Sequence, residues 1–186
     1  MKQLLDSEDV DPNKADRGGR TPLSLAADYG KNKVVKLLLE PRDVNPNMAD
    51  ELGRTPLYYA VKRGLYGVVQ LLLEQEDVTA DTENGIGQTP LLIASDRGNL
   101  GLMKPLLGRE DVNPCMANRF GRTALLCAAE RGHDALVKLL LDREDNPNFP
   151  ECDGQTALAA AAGLGRDGVV KLLLGRQNVN RDIPDK

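Results

Sequence analysis

Chemistry in this chain would have to come from very few side chains. His133 is the one histidine, and the cysteines are Cys115, Cys127 and Cys152. A thiol nucleophile needs a neighbouring base to activate it. The single imidazole follows directly on Gly132, a position that suits a loop or capping role. Cys127 stands beside Ala128 and Ala129, the setting of a buried packing thiol, whereas Cys115 and Cys152 fall in turns. No two cysteines have a Cys-x-x-Cys spacing, and the Asp, Glu and Asn residues of the turns lack the ligand order of a calcium loop. A phosphate-cradling glycine loop ending in Lys-Ser or Lys-Thr is absent as well. These residues predict no catalytic, metal or cofactor site, and so a chain that is not an enzyme.

Composition narrows the class further. Apolar residues make up 41% and charged residues 28%, with no tryptophan, which suits a core of small aliphatic side chains. No run approaches the roughly 20 apolar residues that a membrane span needs, and the segment from Met1 to Asp6 lacks the apolar core of a secretory signal. Three cysteines cannot all pair with one another, and no Asn-x-Ser/Thr sequon occurs, so a reducing, cytoplasmic setting is expected. A net charge of −4 does not suggest a nucleic-acid binder.

The organising signal is a threonine that opens a short apolar run five times. Thr21, Thr55, Thr89, Thr123 and Thr156 are spaced 34, 34, 34 and 33 residues apart. A period of this length marks stacked supersecondary units, none of which can bury its own apolar face. In the second unit Asp50 and Gly53 frame a turn, Thr55 is a helix N-cap and Pro56 takes the first helical position. Gly64, nine residues after Thr55, ends that helix, and Val68, Val69, Leu72 and Leu73 then lie on one face of a second, antiparallel helix. Gly30, Gly98, Gly132 and Gly165 repeat the stop signal. Pro105 sits inside the second helix of the third unit, which predicts a kinked or shortened element there. Leu38, Leu72, Leu140 and Leu173 are the predicted core.

These residues carry a resemblance to the ankyrin-repeat family over nearly the whole chain. The Asp-x-x-Gly-x-Thr-Pro-Leu opening of that family stands at Asp16 to Leu23 and Asp50 to Leu57. Looser copies run from Asn84 to Leu91, Asn118 to Leu125 and Glu151 to Leu158. The resemblance implies an α-solenoid of β-turn and helix–turn–helix repeats without a central sheet. One domain over 1–186 is expected, with repeats at about 16–49, 50–83, 84–117, 118–150 and 151–186 after a partial N-terminal helix in 1–15. The family's histidine after Thr-Pro-Leu is replaced by Ser24, Tyr58, Leu92, Leu126 and Ala159, so cohesion between units is expected to rest more on packing. Asp11-Pro12-Asn13, Asn45-Pro46-Asn47, Asn113-Pro114-Cys115 and Asn146-Pro147-Asn148 share a loop pattern that Thr79-Ala80-Asp81 does not follow. The style of repeat is similar to long fungal arrays at the C-terminal ends of multidomain proteins, including receptor-like NTPases. The ends of the chain read as a piece of a longer array, or as ends covered by self-association.

The resemblance also implies a function, a protein–protein interaction module that uses the turn tips and first helices as a concave face. The alternative is a structural spacer or self-associating array inside a larger protein. On the positions that the scaffold leaves free, basic residues outnumber acidic ones. Candidate contacts there are Arg20, Tyr29, Arg54, Lys62 and Arg63, followed by Arg97, Arg119, Arg122 and Arg131. Such a face would suit an acidic partner. The blander reading of arginine after the turn glycine, at Arg20, Arg54 and Arg122, is a frequent scaffold choice. Leu52, Ile86 and Phe120 occupy one turn position in three successive units. Either they anchor a partner or they lie against adjacent turns and bury one another.

Overall fold

The computed structural model describes residues 11–40, 43–142 and 156–175. The N-terminal partial helix, Cys152 and the loop at Asn146-Pro147-Asn148 lie outside them. Among the described residues five helix pairs follow one another: α1 Pro22–Asp28 with α2 Asn32–Leu39, α3 Pro56–Arg63 with α4 Tyr66–Leu73, and α5 Pro90–Asp96 with α6 Leu100–Leu107. The last two pairs are α7 Ala124–Arg131 with α8 Asp134–Leu141, and α9 Ala157–Gly163 with α10 Asp167–Leu174. There is no strand among the described residues.

Each threonine does what its position predicts. The hydroxyls of Thr21, Thr55, Thr89, Thr123 and Thr156 accept from the backbone N–H three residues on, at 3.1, 3.2, 3.3, 3.2 and 3.3 Å. Pro22, Pro56 and Pro90 occupy the first turn, where a missing N–H costs nothing. Ser24 adds a reciprocal bond to the Thr21 N–H and closes a capping box. Gly64 and Gly132 end α3 and α7 in the left-handed conformation, as their places after the threonine require.

Helices of seven or eight residues are too short to persist alone. They are held because each first helix packs on the next first helix and each second helix on the next second helix. The resulting core is continuous, with Leu57, Val68, Val69, Leu72, Leu91, Leu102, Leu140 and Leu173 all buried. Leu73, placed on the same face by its spacing, is only half-buried. The shortening expected at Pro105 does not occur. Helix α6 runs through the proline and keeps the same eight residues as α4 and α8. The ring falls opposite the carbonyl of Gly101, an exposed residue with no side chain to crowd it and with water to replace the lost bond.

Packing is not the only cohesion between units. Ser95 Oγ donates to the Ala124 carbonyl of the next unit, and Arg109 donates from both terminal nitrogens to the carbonyls of Leu73, Gln75 and Val78 of the preceding one. The turns also touch through their backbones. A Cβ on Gly53 would come within 2.9 Å of the Gly85 nitrogen, and the Gly53 φ is 72°. Gly53→Ala is therefore expected to destabilise the chain by about 1–3 kcal/mol. Urea unfolding of this variant beside Gly163→Ala, where no atom lies within 4 Å of an added Cβ, measures the difference.

Candidate functional site

The turns before α1, α3, α5 and α7 are built alike. Asp16 Oδ1 accepts from the N–H groups of Gly18 and Arg20, both at 2.9 Å, and Asp50 Oδ1 from those of Leu52 and Arg54, also at 2.9 Å. Asn84 and Asn118 do the same in the next two units, because an amide oxygen accepts as well as a carboxylate oxygen. Neighbouring turns are then tied tip to tip: Glu51 N–H to the Gly18 carbonyl at 3.3 Å, Gly85 N–H to the Leu52 carbonyl at 2.8 Å, and Arg119 N–H to the Ile86 carbonyl at 3.3 Å. The side chains at the tips have no part in this. Leu52, Ile86 and Phe120 are 58%, 45% and 60% exposed, so adjacent turns do not bury them.

The basic candidates separate into two groups. Arg20 and Arg54 fold back onto the carboxylates of their own turns, Asp16 at 2.9 Å and Asp50 at 2.7 Å. Arg122, whose turn carries Asn118 instead, pairs with Glu130. Arg63 reaches back one unit to Asp28 at 2.7 Å, and Arg131 to Asp96 at 3.1 Å. Lys62 and Arg97 stand apart from that group. Lys62 occupies the place that Asp28 and Asp96 hold in neighbouring units, so the position that pairs elsewhere sets cation beside cation here. Both line an open groove with Arg63, Gly64, Gly98, Asn99 and Leu100, and the Lys62 ammonium lies 5.7 Å from the Tyr58 ring centre. Tyr29 is 66% exposed, and Arg119 lies beside Phe120 on an exposed turn.

The turn of the second unit holds a buried cluster that the sequence reading did not single out. The Tyr59 hydroxyl donates to Asp50 Oδ2 at 2.6 Å, Arg54 Nε donates to the same oxygen at 2.7 Å, and the Arg54 guanidinium lies 5.1 Å from the Tyr59 ring centre. Burial opposes ionisation of Asp50. The bonds from Arg54, Tyr59 and the two N–H groups outweigh it and hold the carboxyl below its usual range. Burial and then the bond to Asp50 push the Tyr59 hydroxyl up to about 12. The available signal was the second tyrosine of Tyr58-Tyr59, a phenol on the first helix nine residues after a turn aspartate. Tyr66 and Leu100, exposed at the starts of α4 and α6, were missed as well.

The residues first weighed for chemistry have structural surroundings. An added Cβ on Gly98 would fall 2.5 Å from the His133 Cε1, so the imidazole lies against the preceding unit's glycine turn. Cys127 is buried on α7 and Cys115 is half-buried in its loop. Among the described residues no three His, Cys, Asp or Glu side chains gather as metal ligands. No described helix is long and apolar enough to cross a membrane.

Comparison with known proteins agrees with this architecture. A family model described as ankyrin repeats (3 copies) matches residues 1–84 and 91–184. The chain belongs to the ankyrin-repeat family. Among solved structures, the crystal structure of the ankyrin-repeat protein EF0377 superposes with a TM-score of 0.88 at 24% identity, covering 95% of this chain and 90% of that one. At that identity the likeness speaks for the fold. No curated protein matches the chain. Ankyrin repeats generally serve as protein–protein interaction modules and are typically non-catalytic.

Proposed function

We propose that this chain binds a partner protein across the turn tips and the adjoining ends of the first helices, with Leu52, Ile86 and Phe120 as its apolar anchors. The observation that carries this reading is the row of three large apolar side chains exposed at equivalent positions of successive units. Apolar anchors ringed by polar groups are the usual energetic centre of a protein interface. Lys62 and Arg97, which lack the carboxylate that balances the same place in neighbouring units, favour a partner that brings an acidic side chain to that groove. Arg20, Arg54, Arg63, Arg122 and Arg131 contribute less attraction, since each is already bonded to a carboxylate. The cysteine usage supports a reducing cellular interior as its place of work.

A photoreactive phenylalanine analogue placed at position 86 captures the partner covalently, and the same analogue at the exposed residue Leu174 is the control. Phe120→Ala and Ile86→Ala are expected to weaken the captured partner's binding about tenfold or more each, with unchanged unfolding midpoints. Lys62→Glu is expected to weaken it further and to lower its dependence on salt. Wild-type affinity in the Ile86→Ala, Phe120→Ala double variant would sink the reading.

A further inference from the structure

In the loops that lead into successive units a side chain reaches across to the next loop. Asn13 donates from Nδ2 to the Asp43 carbonyl at 2.6 Å and accepts at Oδ1 from the Asn45 N–H at 2.8 Å. Asn47 makes the same two bonds, to the Asp77 carbonyl at 2.6 Å and from the Thr79 N–H at 2.9 Å. One period further along stands Asp81. Its Oδ2 accepts from the Asn113 N–H at 2.9 Å, which reproduces one half of the grip. Its Oδ1 is buried and has no hydrogen-bond partner. By the register of the two preceding grips, that oxygen takes the place of the amide nitrogen facing the carbonyl thirty residues on, that of Asp111. An ionised carboxylate has no hydrogen to donate there.

The surroundings do not supply a substitute donor. Asp111 directs its own carboxylate to the Ala80 N–H at 2.9 Å, a bond that Pro46 and Pro114 cannot make at the equivalent positions, and to Arg109 Nε at 2.9 Å. Arg109 spends its remaining donors on Asp111 and on the carbonyls of Leu73, Gln75 and Val78. The Thr79 and Thr82 hydroxyls share one bond, and the Thr82 hydroxyl has the Thr79 carbonyl as its own acceptor. The charges around Asp81 are thus Glu83 on its own loop and Asp111 with Arg109 on the facing one. Burial pushes its carboxyl above the ordinary range against the pull of the Asn113 N–H, and the charges of Asp111 and Glu83 push it the same way.

We propose that Asp81 is a proton-operated clasp between the second and third units. With a proton on Oδ1 the acid donates to the Asp111 carbonyl and restores the two-point grip of Asn13 and Asn47. Without it the joint is held at Oδ2 alone, with two acceptors face to face. The sign follows from a folded-state affinity for protons that exceeds the unfolded one. The clasp's contribution is complete below the unfolded aspartate value of about 3.9 and is lost as pH rises through the folded value. Asp16, Asp50 and Asp111, whose carboxyls are held low, run the other way, so the test must isolate Asp81.

Asp81→Asn supplies the missing donor permanently. In urea unfolding of the whole chain, its midpoint is expected above wild type at pH 8, with the gap closing toward pH 4.5. Asn47→Asp moves the defect one joint earlier. That variant is expected to fall below wild type at pH 8 and to recover as pH falls, with the same trend in the protection of the Thr79 amide against hydrogen exchange, corrected for intrinsic rate. A gap that is the same at both pH values, or an Asp81→Asn chain less stable than wild type at pH 8, overturns the clasp.

Discussion

Cutting Leu72 back to alanine is expected to remove about 2–5 kcal/mol of unfolding free energy. Its side chain is fully buried on α4, which packs on α3 of its own unit and on α2 and α6 of its two neighbours. The cavity opens between three units, and the short helices around it have few contacts to spare for collapse. Equilibrium urea unfolding measures the loss. Leu52→Ala, at an exposed tip, is the companion expected to stay within about 0.5 kcal/mol. Leu140 and Leu173 share Leu72's complete burial, and Leu38 lies nearly as deep. Helix α4 of Leu72 packs against a second helix on either side, as does α8 of Leu140.

Removing the Asp50 carboxylate is expected to cost about 3–5 kcal/mol in Asp50→Ala, because the Arg54 guanidinium and the Tyr59 hydroxyl lose their partner together. Asp50→Asn is expected to lose less, since Asn84 and Asn118 show that an amide keeps both backbone bonds of this turn. The carboxyl is held below its usual range in the folded chain. Its contribution is therefore present above the unfolded value of about 3.9 and disappears as pH falls through the folded value. The gap between wild type and Asp50→Ala is expected to be level from pH 5 to 8 and to narrow in acid. Tyrosinate absorbance supplies an independent readout: one tyrosine of the wild type should ionise near 12, and in Asp50→Ala that titration should move down. An unchanged titration would mean that burial alone, without the bond to Asp50, holds the phenol.

Most of the fold was legible because its instructions are local. A threonine followed by proline, then a glycine nine residues on, states a cap, a first turn and a stop with no reference to the rest of the molecule, and each is found where it was expected. Pro105 shows the limit of that logic. A proline six residues into a helix breaks it in isolation, but here the helix is held by its neighbours and the opposing residue is Gly101. The candidate surface was legible only in part. Side-chain type and period placed Leu52, Ile86 and Phe120 on equivalent tips, but whether they were covered depended on distances between turns. Charge was read least well. Arg63 and Arg131 looked like surface cations until the structure set each beside an acid about one period earlier in the chain, and Lys62 gained meaning only as the exception to that pairing. The Asp81 clasp stayed hidden for the same reason, since its partners lie thirty or more residues away.

The tip-to-tip bonds between turns are made by peptide groups alone. Any residue that can follow the same backbone path preserves them, so the amino acids at 52, 86 and 120 owe nothing to the architecture beneath. Under the proposed function, those letters can change one at a time and alter what the surface recognises while the molecule still folds. If the tips bind as proposed, specificity and foldability rest on separate residues: the threonines, leucines and turn glycines serve the fold, and the tips serve the partner.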